Sequence, residues 1–240
     1  MTISPKLYLK DIYRTSLGNK QRKNFLRLDL NENPDGLPEE FIKNIFSKID
    51  AKYVSMYPEY GKLAENIAQH NKLNWQNICL SNGSDGAIKY IFDCYVSSGD
   101  KVLITDPTFA MYPIYCKMFN ALCVNVSYLS TSDGFLFPVE NFLDEINRNI
   151  DMAVIVNPNN PTGIAICPSD MDKIIQKCFD ANVLLIVDEA YFYFYNQTVI
   201  DKIKHFNNLI VLRTFSKLCG LANVRLGYAA ACSEIIPIHQ

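Results

Sequence analysis

Two stretches of this sequence set reactive side chains directly after apolar runs. In VLLIVDEAYF, residues 183–192, the run ends in Asp188, with Glu189 next and Tyr191 three residues on. A carboxylate at the end of a buried strand is costly unless it meets a cation or hydrogen-bond donors. It serves as a helix cap, as half of a structural ion pair, or as the partner of a protonated ring nitrogen. Twenty-nine residues later, LRTFSKLCGLANVRLGY (212–228) presents Lys217 flanked by Thr214 and Ser216, with Arg225 eight residues on. A lysine in a partly apolar, polar-lined loop loses solvation and becomes a nucleophilic amine. Two hydroxyls and a guanidinium beside it suit a dianionic phosphate. Three further loops add to this set. SNGSDGAI (81–88) links a strand to a helix, so Ser84 and Asp85 are either ordinary N-caps or part of an anion site at free helix amides. NPNNPTG (157–163) forms a rigid turn in which Asn160 can present its amide to a ligand oxygen. In DPTFAMY (106–112), Phe109 either packs or stacks on a flat ring.

These loops need a frame, and the sequence supplies one. Short apolar runs at 77–80, 101–105, 122–128, 152–157, 183–188, 209–214 and 225–231 read as strands. Most are continuous rather than alternating, as in a sheet covered on both faces. Between them, 84–98 and 168–181 carry apolar residues at three- and four-residue spacing, the second after Pro168 in the first helical turn. The alternation predicts an α/β fold with a mainly parallel, doubly wound sheet, in which ligands sit at the carboxyl ends of strands. Residues 1–50 differ, with an irregular arm and one amphipathic helix at 37–49. They read as an arm and a fragment of a smaller domain, with 51–240 as the large domain.

Composition narrows the function further. The chain has 240 residues, 49% apolar and 20% charged, with 23 basic against 25 acidic side chains. A net charge of −2 argues against nucleic acid or a membrane surface as partner. No apolar run reaches the ~18–20 residues of a membrane span, and the first residues show no signal-peptide core. A cytoplasmic protein is expected. The eight cysteines include no CxxC, and with three scattered histidines they predict neither disulfides nor a metal site.

Taken together, LDLNENPDGLP, MYPEYG, SNGSDGAI, DPTFAMY, NPNNPTG, VDEAY and RTFSKLCGLANVRLGY resemble the fold-type-I pyridoxal-phosphate aminotransferases. The stretches follow the family's order over roughly 28–233, and resemble the histidinol-phosphate aminotransferase family most. The resemblance implies the large domain of the aspartate-aminotransferase-like fold and a transaminase, an enzyme of amino-acid biosynthesis. It would exchange an amino group between an amino acid, or an amino-alcohol phosphate, and a 2-oxo acid. By the same resemblance Lys217 carries pyridoxal 5'-phosphate covalently and moves the proton, while Asp188 pairs with the ring nitrogen. Tyr191 and Asn160 bind the ring hydroxyl oxygen, and Phe109 stacks on the ring. Ser84, Asp85, Thr214, Ser216 and Arg225 hold the phosphate. Tyr57 reaches the phosphate of a neighbouring subunit, which implies a homodimer. Asn31–Pro34, including Asn33, lines the substrate side.

Two departures qualify this. Gly86 stands where histidinol-phosphate enzymes usually carry an acidic residue. The chain also stops at Gln240, before the family's C-terminal part, which completes the small domain and grips the substrate carboxylate with an arginine. Of the arginines here (Arg14, Arg22, Arg27, Arg148, Arg213 and Arg225), none is expected to take that role, because the arm offers Arg14, Arg22 and Arg27 no rigid frame. The alternatives are then a phosphoamino-acid decarboxylase, whose family shares these motifs, or a truncated, inactive remnant that keeps the cofactor pocket.

Overall fold

The computed structural model describes residues 3, 4, 6–10, 12 and 21–236. Arg14, His239 and the last residues of the apolar tail lie outside that set.

The described chain begins with an irregular arm and three helices, α1 (Glu39–Phe46), α2 (Ala51–Ser55) and α3 (Gly61–His70). Alternation of strand and helix follows: β1 (Ile78–Asn82), α4 (Gly83–Tyr95), β2 (Lys101–Asp106), α5 (Met111–Phe119) and β3 (Leu122–Ser127). A hairpin of β4 (Leu129–Thr131) and β5 (Gly134–Leu136) precedes α6 (Val139–Glu145), β6 (Met152–Val156), α7 (Pro168–Ala181) and β7 (Leu184–Asp188). The described chain closes with α8 (Phe192–Tyr195), β8 (Leu209–Thr214) and β9 (Leu226–Ala231).

Seven strands form one sheet in the order β1-β9-β8-β7-β6-β2-β3. The pairs among β8, β7, β6, β2 and β3 are parallel, whereas β9 runs antiparallel to β8 and to β1. The mainly parallel α/β sheet read from the sequence is therefore present. Its inner strands are mostly apolar because both faces are covered. In β6, Ala153 and Ile155 point into one core, and Met152, Val154 and Val156 into the other. β7 and β8 divide in the same way, with Leu185, Val187, Leu209 and Val211 on one side and Ile186, Ile210 and Leu212 on the other. Side chains alternate faces along a strand, so a strand buried on both faces favours apolar residues at every position, and polar ones such as Asp188 and Arg213 stand at or near its end. Helix α7 covers the first face with Met171, Ile174, Ile175 and Cys178, and α4 and α5 cover the second with Ile88, Ile91, Phe92, Tyr112 and Cys116. Helices α5 and α7 end at Asn120 and Asn182, both in the left-handed conformation that asparagine tolerates.

Three elements differ from the sequence reading. The β4–β5 hairpin falls where no strand pair is predicted. Its three-residue strands are exposed along their whole length, so no core face patterns them. Helix α1 is shorter than the stripe at 37–49 and buries none of its residues. Helix α4 ends at Tyr95, before the end of the 84–98 pattern.

The topology brings the loops together. Strands β2, β6, β7 and β8 share one direction, so the segments after Asp106, Val156, Asp188 and Thr214 leave the same edge of the sheet. Two antiparallel reversals give β1 that direction too, so α4 starts there. β9 begins at that edge, which puts Arg225 beside it.

Candidate active site

Asp188 ends β7 and is 2% exposed. The Tyr112 hydroxyl donates to its Oδ2 at 2.8 Å and the Ala190 backbone N–H to its Oδ1 at 3.0 Å. No cation pairs with it among the described residues. Desolvation accordingly pushes its pKa up to about 6, against the pull of the two donors. Burial likewise raises the Tyr112 phenol, with the Asp188 charge adding to it, so the phenol stays a donor.

Glu189, the adjacent carboxylate, has a different fate. Arg213 Nε and Nη2 reach its Oε2 at 3.0 and 2.8 Å, and Thr198 and the Val199 N–H also donate to it. Arg213 stacks over the Phe192 ring at 3.7 Å and donates to Asn71. Burial lifts the Glu189 pKa, and the Arg213 charge opposes the rise. This pair lies in the core and is structural, so of the two adjacent carboxylates it is Asp188 that lines the neighbouring cavity.

That cavity measures about 660 Å³. Asn33, Ser84, Asp85, Phe109, Asn160, Asp188, Tyr191, Thr214, Ser216, Lys217 and Arg225 all line it. Of the candidates from the sequence, Tyr57 is absent from this wall, and of the Asn31–Pro34 segment only Glu32 and Asn33 reach it. Tyr57 lies between α2 and α3, 99% exposed and outside the cavity wall.

The loop after β8 is organised around its hydroxyls. Thr214 Oγ1 donates to Ser216 Oγ at 3.0 Å and accepts from the Ser216 backbone N–H at 3.2 Å. Arg225 adopts a left-handed backbone, φ 55°, and sends Nη1 to Ser216 Oγ at 3.4 Å and to the Ala222 carbonyl at 3.2 Å. Its Nη2 lies 3.9 Å from Asp85 Oδ2. The first turn of α4 begins beside it at Gly83, φ 71°, where an added Cβ would stand 2.6 Å from Arg225 Nη2. Helix-start amides, two hydroxyls and a guanidinium thus face one region, the donor set an oxyanion requires. Gly227, registered against both Ser81 and Thr214, lets this happen. A Cβ there would lie 2.6 Å from the backbone of Gly83 and Ser84.

Lys217 Nζ donates to the Leu30 carbonyl at 2.8 Å and sits 5.5 Å from the Tyr191 ring centroid. The Tyr191 hydroxyl accepts from Asn31 Nδ2 at 2.8 Å. Phe109, half-buried, meets Tyr112 edge-on with ring centroids 6.2 Å apart. Asn33 donates to the Gly36 carbonyl at 3.0 Å.

The arm contributes what sequence reasoning missed. Arg22, Arg27 and Glu32 line the cavity, so the expectation that the arm gives no frame is overturned for Arg22 and Arg27, while Arg14 lies outside the described residues. Arg22 pairs with Asp29 at 2.6 Å and Glu32 at 2.9 Å, and Arg27 with Glu32 at 3.2 Å. The alternation of R, R, D and E over 22–32 was the available signal. Tyr112 was missed too, because its partner lies 76 residues away.

Among the described residues, no cluster of His, Cys, Asp and Glu could hold a metal ion. No helix there is long and apolar enough to cross a membrane. Residues 23–238 match the family model of class I and II aminotransferases. The chain is 41% identical over 213 residues to a histidinol-phosphate aminotransferase from Caldanaerobacter subterraneus subsp. tengcongensis, covering 88% of this chain and 59% of that relative. Among solved structures, it is similar to the histidinol-phosphate aminotransferase of Sinorhizobium meliloti in complex with pyridoxal-5'-phosphate, with TM-score 0.72 and 25% identity, over 85% of this chain and 55% of that one. It is also similar to the L-threonine-O-3-phosphate decarboxylase of Porphyromonas gingivalis, with TM-score 0.68 and 25% identity, over 83% and 60% of the two chains. The chain thus spans about 59% of the length of the curated relatives it matches.

Proposed function

The chain belongs to the class I and II aminotransferases, and from that premise we propose that its cavity holds pyridoxal 5'-phosphate and serves transamination. The amino group would pass between an amino acid, or an amino-alcohol phosphate, and a 2-oxo acid. Asp188 carries this reading. A buried carboxylate without a cationic partner is the feature a protonated pyridine nitrogen would satisfy.

The residues present fit the group. Asp188, held by Tyr112 and Ala190, would pair with the ring nitrogen, and Phe109 would stack on the ring. Tyr191 and Asn160 take the ring oxygen. Arg225, Ser216, Thr214 and the first turn of α4, at Ser84 and Asp85, hold the phosphate. When bound, the cofactor supplies an electron sink for the bonds at the substrate's amino carbon. Lys217 carries it and moves the proton, with the Leu30 carbonyl holding the amine whenever it is free. Asn33 borders the substrate side. We further propose that 51–240 forms the cofactor-binding domain, with 1–50 as an arm and a piece of a smaller domain, in a cytoplasmic homodimer that shares Tyr57 across subunits.

Borohydride reduction in the presence of pyridoxal 5'-phosphate, followed by peptide mapping, tests the assignment. The label is expected on Lys217, and a label on another lysine sinks it. Incubating the loaded protein with amino donors and 2-oxoglutarate should yield amino transfer. Release of carbon dioxide instead would move the reading to a phosphoamino-acid decarboxylase.

A further inference from the structure

The cavity carries a second cationic group that shares no partner with Arg225. Arg22 and Arg27 converge on one carboxylate, Arg22 Nη1 lying 2.9 Å from Glu32 Oε1 and Arg27 Nε 3.2 Å from Oε2. Arg27 Nη2 donates to the carbonyls of Asn33 and Pro34 at 3.1 and 3.2 Å, which fixes the plane of the guanidinium. Its Nε is buried, and the contact with Glu32 lacks the geometry of a hydrogen bond. Nη1 has no hydrogen-bond partner among the described residues. A buried donor left without a hydrogen bond is costly, so a binding surface that keeps one suits an acceptor to come. All three side chains are three-quarters or more buried yet border the same cavity as Lys217 and Asn33.

We propose that Arg27, backed by Arg22, binds the anionic group of the amino substrate, a carboxylate or a phosphate monoester, and that Glu32 is the internal counter-ion this group displaces. The inference rests on the transaminase reading for what the ligand is, and on the arm's geometry for where it binds. A planar guanidinium held through Nη2 by two carbonyls keeps Nη1 for an oxyanion, and Nε too once Glu32 is displaced. Lys217, tied to the same arm through the Leu30 carbonyl, then stands beside the substrate's amino carbon. A purely structural clip, in which Glu32 only folds the arm, predicts the opposite response to loss of its charge.

The test uses the 240-residue protein, with and without pyridoxal 5'-phosphate, titrated calorimetrically with maleate and separately with glycerol 3-phosphate. Neither probe carries an amine, so binding is read without turnover. Arg27→Lys is expected to weaken at least one probe about tenfold or more, with cofactor affinity unchanged. The affected probe identifies the anion as carboxylate or phosphate. Glu32→Gln is expected to tighten the same probe threefold or more by removing the competing charge. The proposal falls if Arg27→Lys binds both probes as the unmodified chain does, or if Glu32→Gln lowers the melting temperature without improving anion affinity. Should Arg27→Lys fail to fold, the Glu32→Gln titration decides alone. Failure of the Lys217 label would overturn the cofactor reading, while titration of the unloaded protein still decides this one.

Discussion

At the scale of residues, Asp188 joins sequence, energetics and function most directly. Its pKa is raised from 3.8 to about 6 in the folded chain, so between those values the native state holds a proton that the unfolded state releases. The resulting stability is fully present below about pH 4 and is lost as pH rises through about 6. In the unloaded protein, the stability difference between the unmodified chain and Asp188→Asn should therefore fall by ~2 kcal/mol from pH 4.5 to 7.5. Urea unfolding at a series of pH values measures it, and parallel curves for the two proteins would refute it. Saturating pyridoxal 5'-phosphate should flatten the decline, because a cation beside the carboxylate pulls its pKa back down. Asp188 was legible in the sequence because an acid after VLLIV has few cheap explanations. Tyr112, which supplies its hydrogen bond, was not, since nothing local marks a tyrosine on α5 as the partner of a strand end 76 residues away. Arg27 was misjudged for a related reason. Its frame consists of ion pairs and carbonyl contacts that no periodicity reports.

At the scale of elements, the sheet was readable because its chemistry repeats. A strand buried on both faces is apolar unless its polar residues find partners, as β6 is throughout and β8 is until Arg213, and helices packed on those faces must carry a stripe, as α7 does. The exposed β4–β5 hairpin has neither pattern and went unread. Convergence of the loops followed from parallel strand direction, but the fine fit of the phosphate region depends on a glycine whose role the sequence hides. Gly227 is flanked by β1 and β8, and a methyl group there meets the backbone of Gly83 and Ser84 rather than a flexible side chain. Gly227→Ala should push β9 from the start of α4, costing about 1–3 kcal/mol of stability and weakening pyridoxal 5'-phosphate binding about tenfold. Gly61→Ala is the control. It lies in α3 with open space around it, so by helix propensity it is neutral or stabilising by up to ~1 kcal/mol. Denaturant unfolding and cofactor titration of both variants check this pair, and unchanged cofactor affinity in Gly227→Ala would end the close-approach argument.

At the scale of the whole molecule, the sheet domain satisfies itself while the N-terminal helices do not. Helices α1 and α2 bury no residue, and Phe46, Val54, Met56 and Tyr57 are exposed at 66%, 73%, 57% and 99%. Apolar side chains gathered on one short segment mark a surface built to be covered. The proposed homodimer would supply the cover, and Tyr57 would then reach the region of Arg225 and Ser216 in the second subunit. Two kinds of substitution separate the parts of this claim. Val54→Asp places a charge in the covered surface and should shift the protein from dimer to monomer in sedimentation, weakening pyridoxal 5'-phosphate binding at the same time. Tyr57→Phe keeps the apolar ring and removes one hydroxyl, so the dimer should persist while cofactor affinity drops about ten- to a hundredfold, the worth of one hydrogen bond to a charged group. A Tyr57→Phe dimer with unchanged cofactor affinity would rule out the shared phosphate contact, and an unmodified chain that sediments as a monomer at tens of micromolar would rule out the dimer. Weaker binding in both variants, through dissociation in one and inside an intact dimer in the other, would mean that each site is completed by the neighbouring subunit.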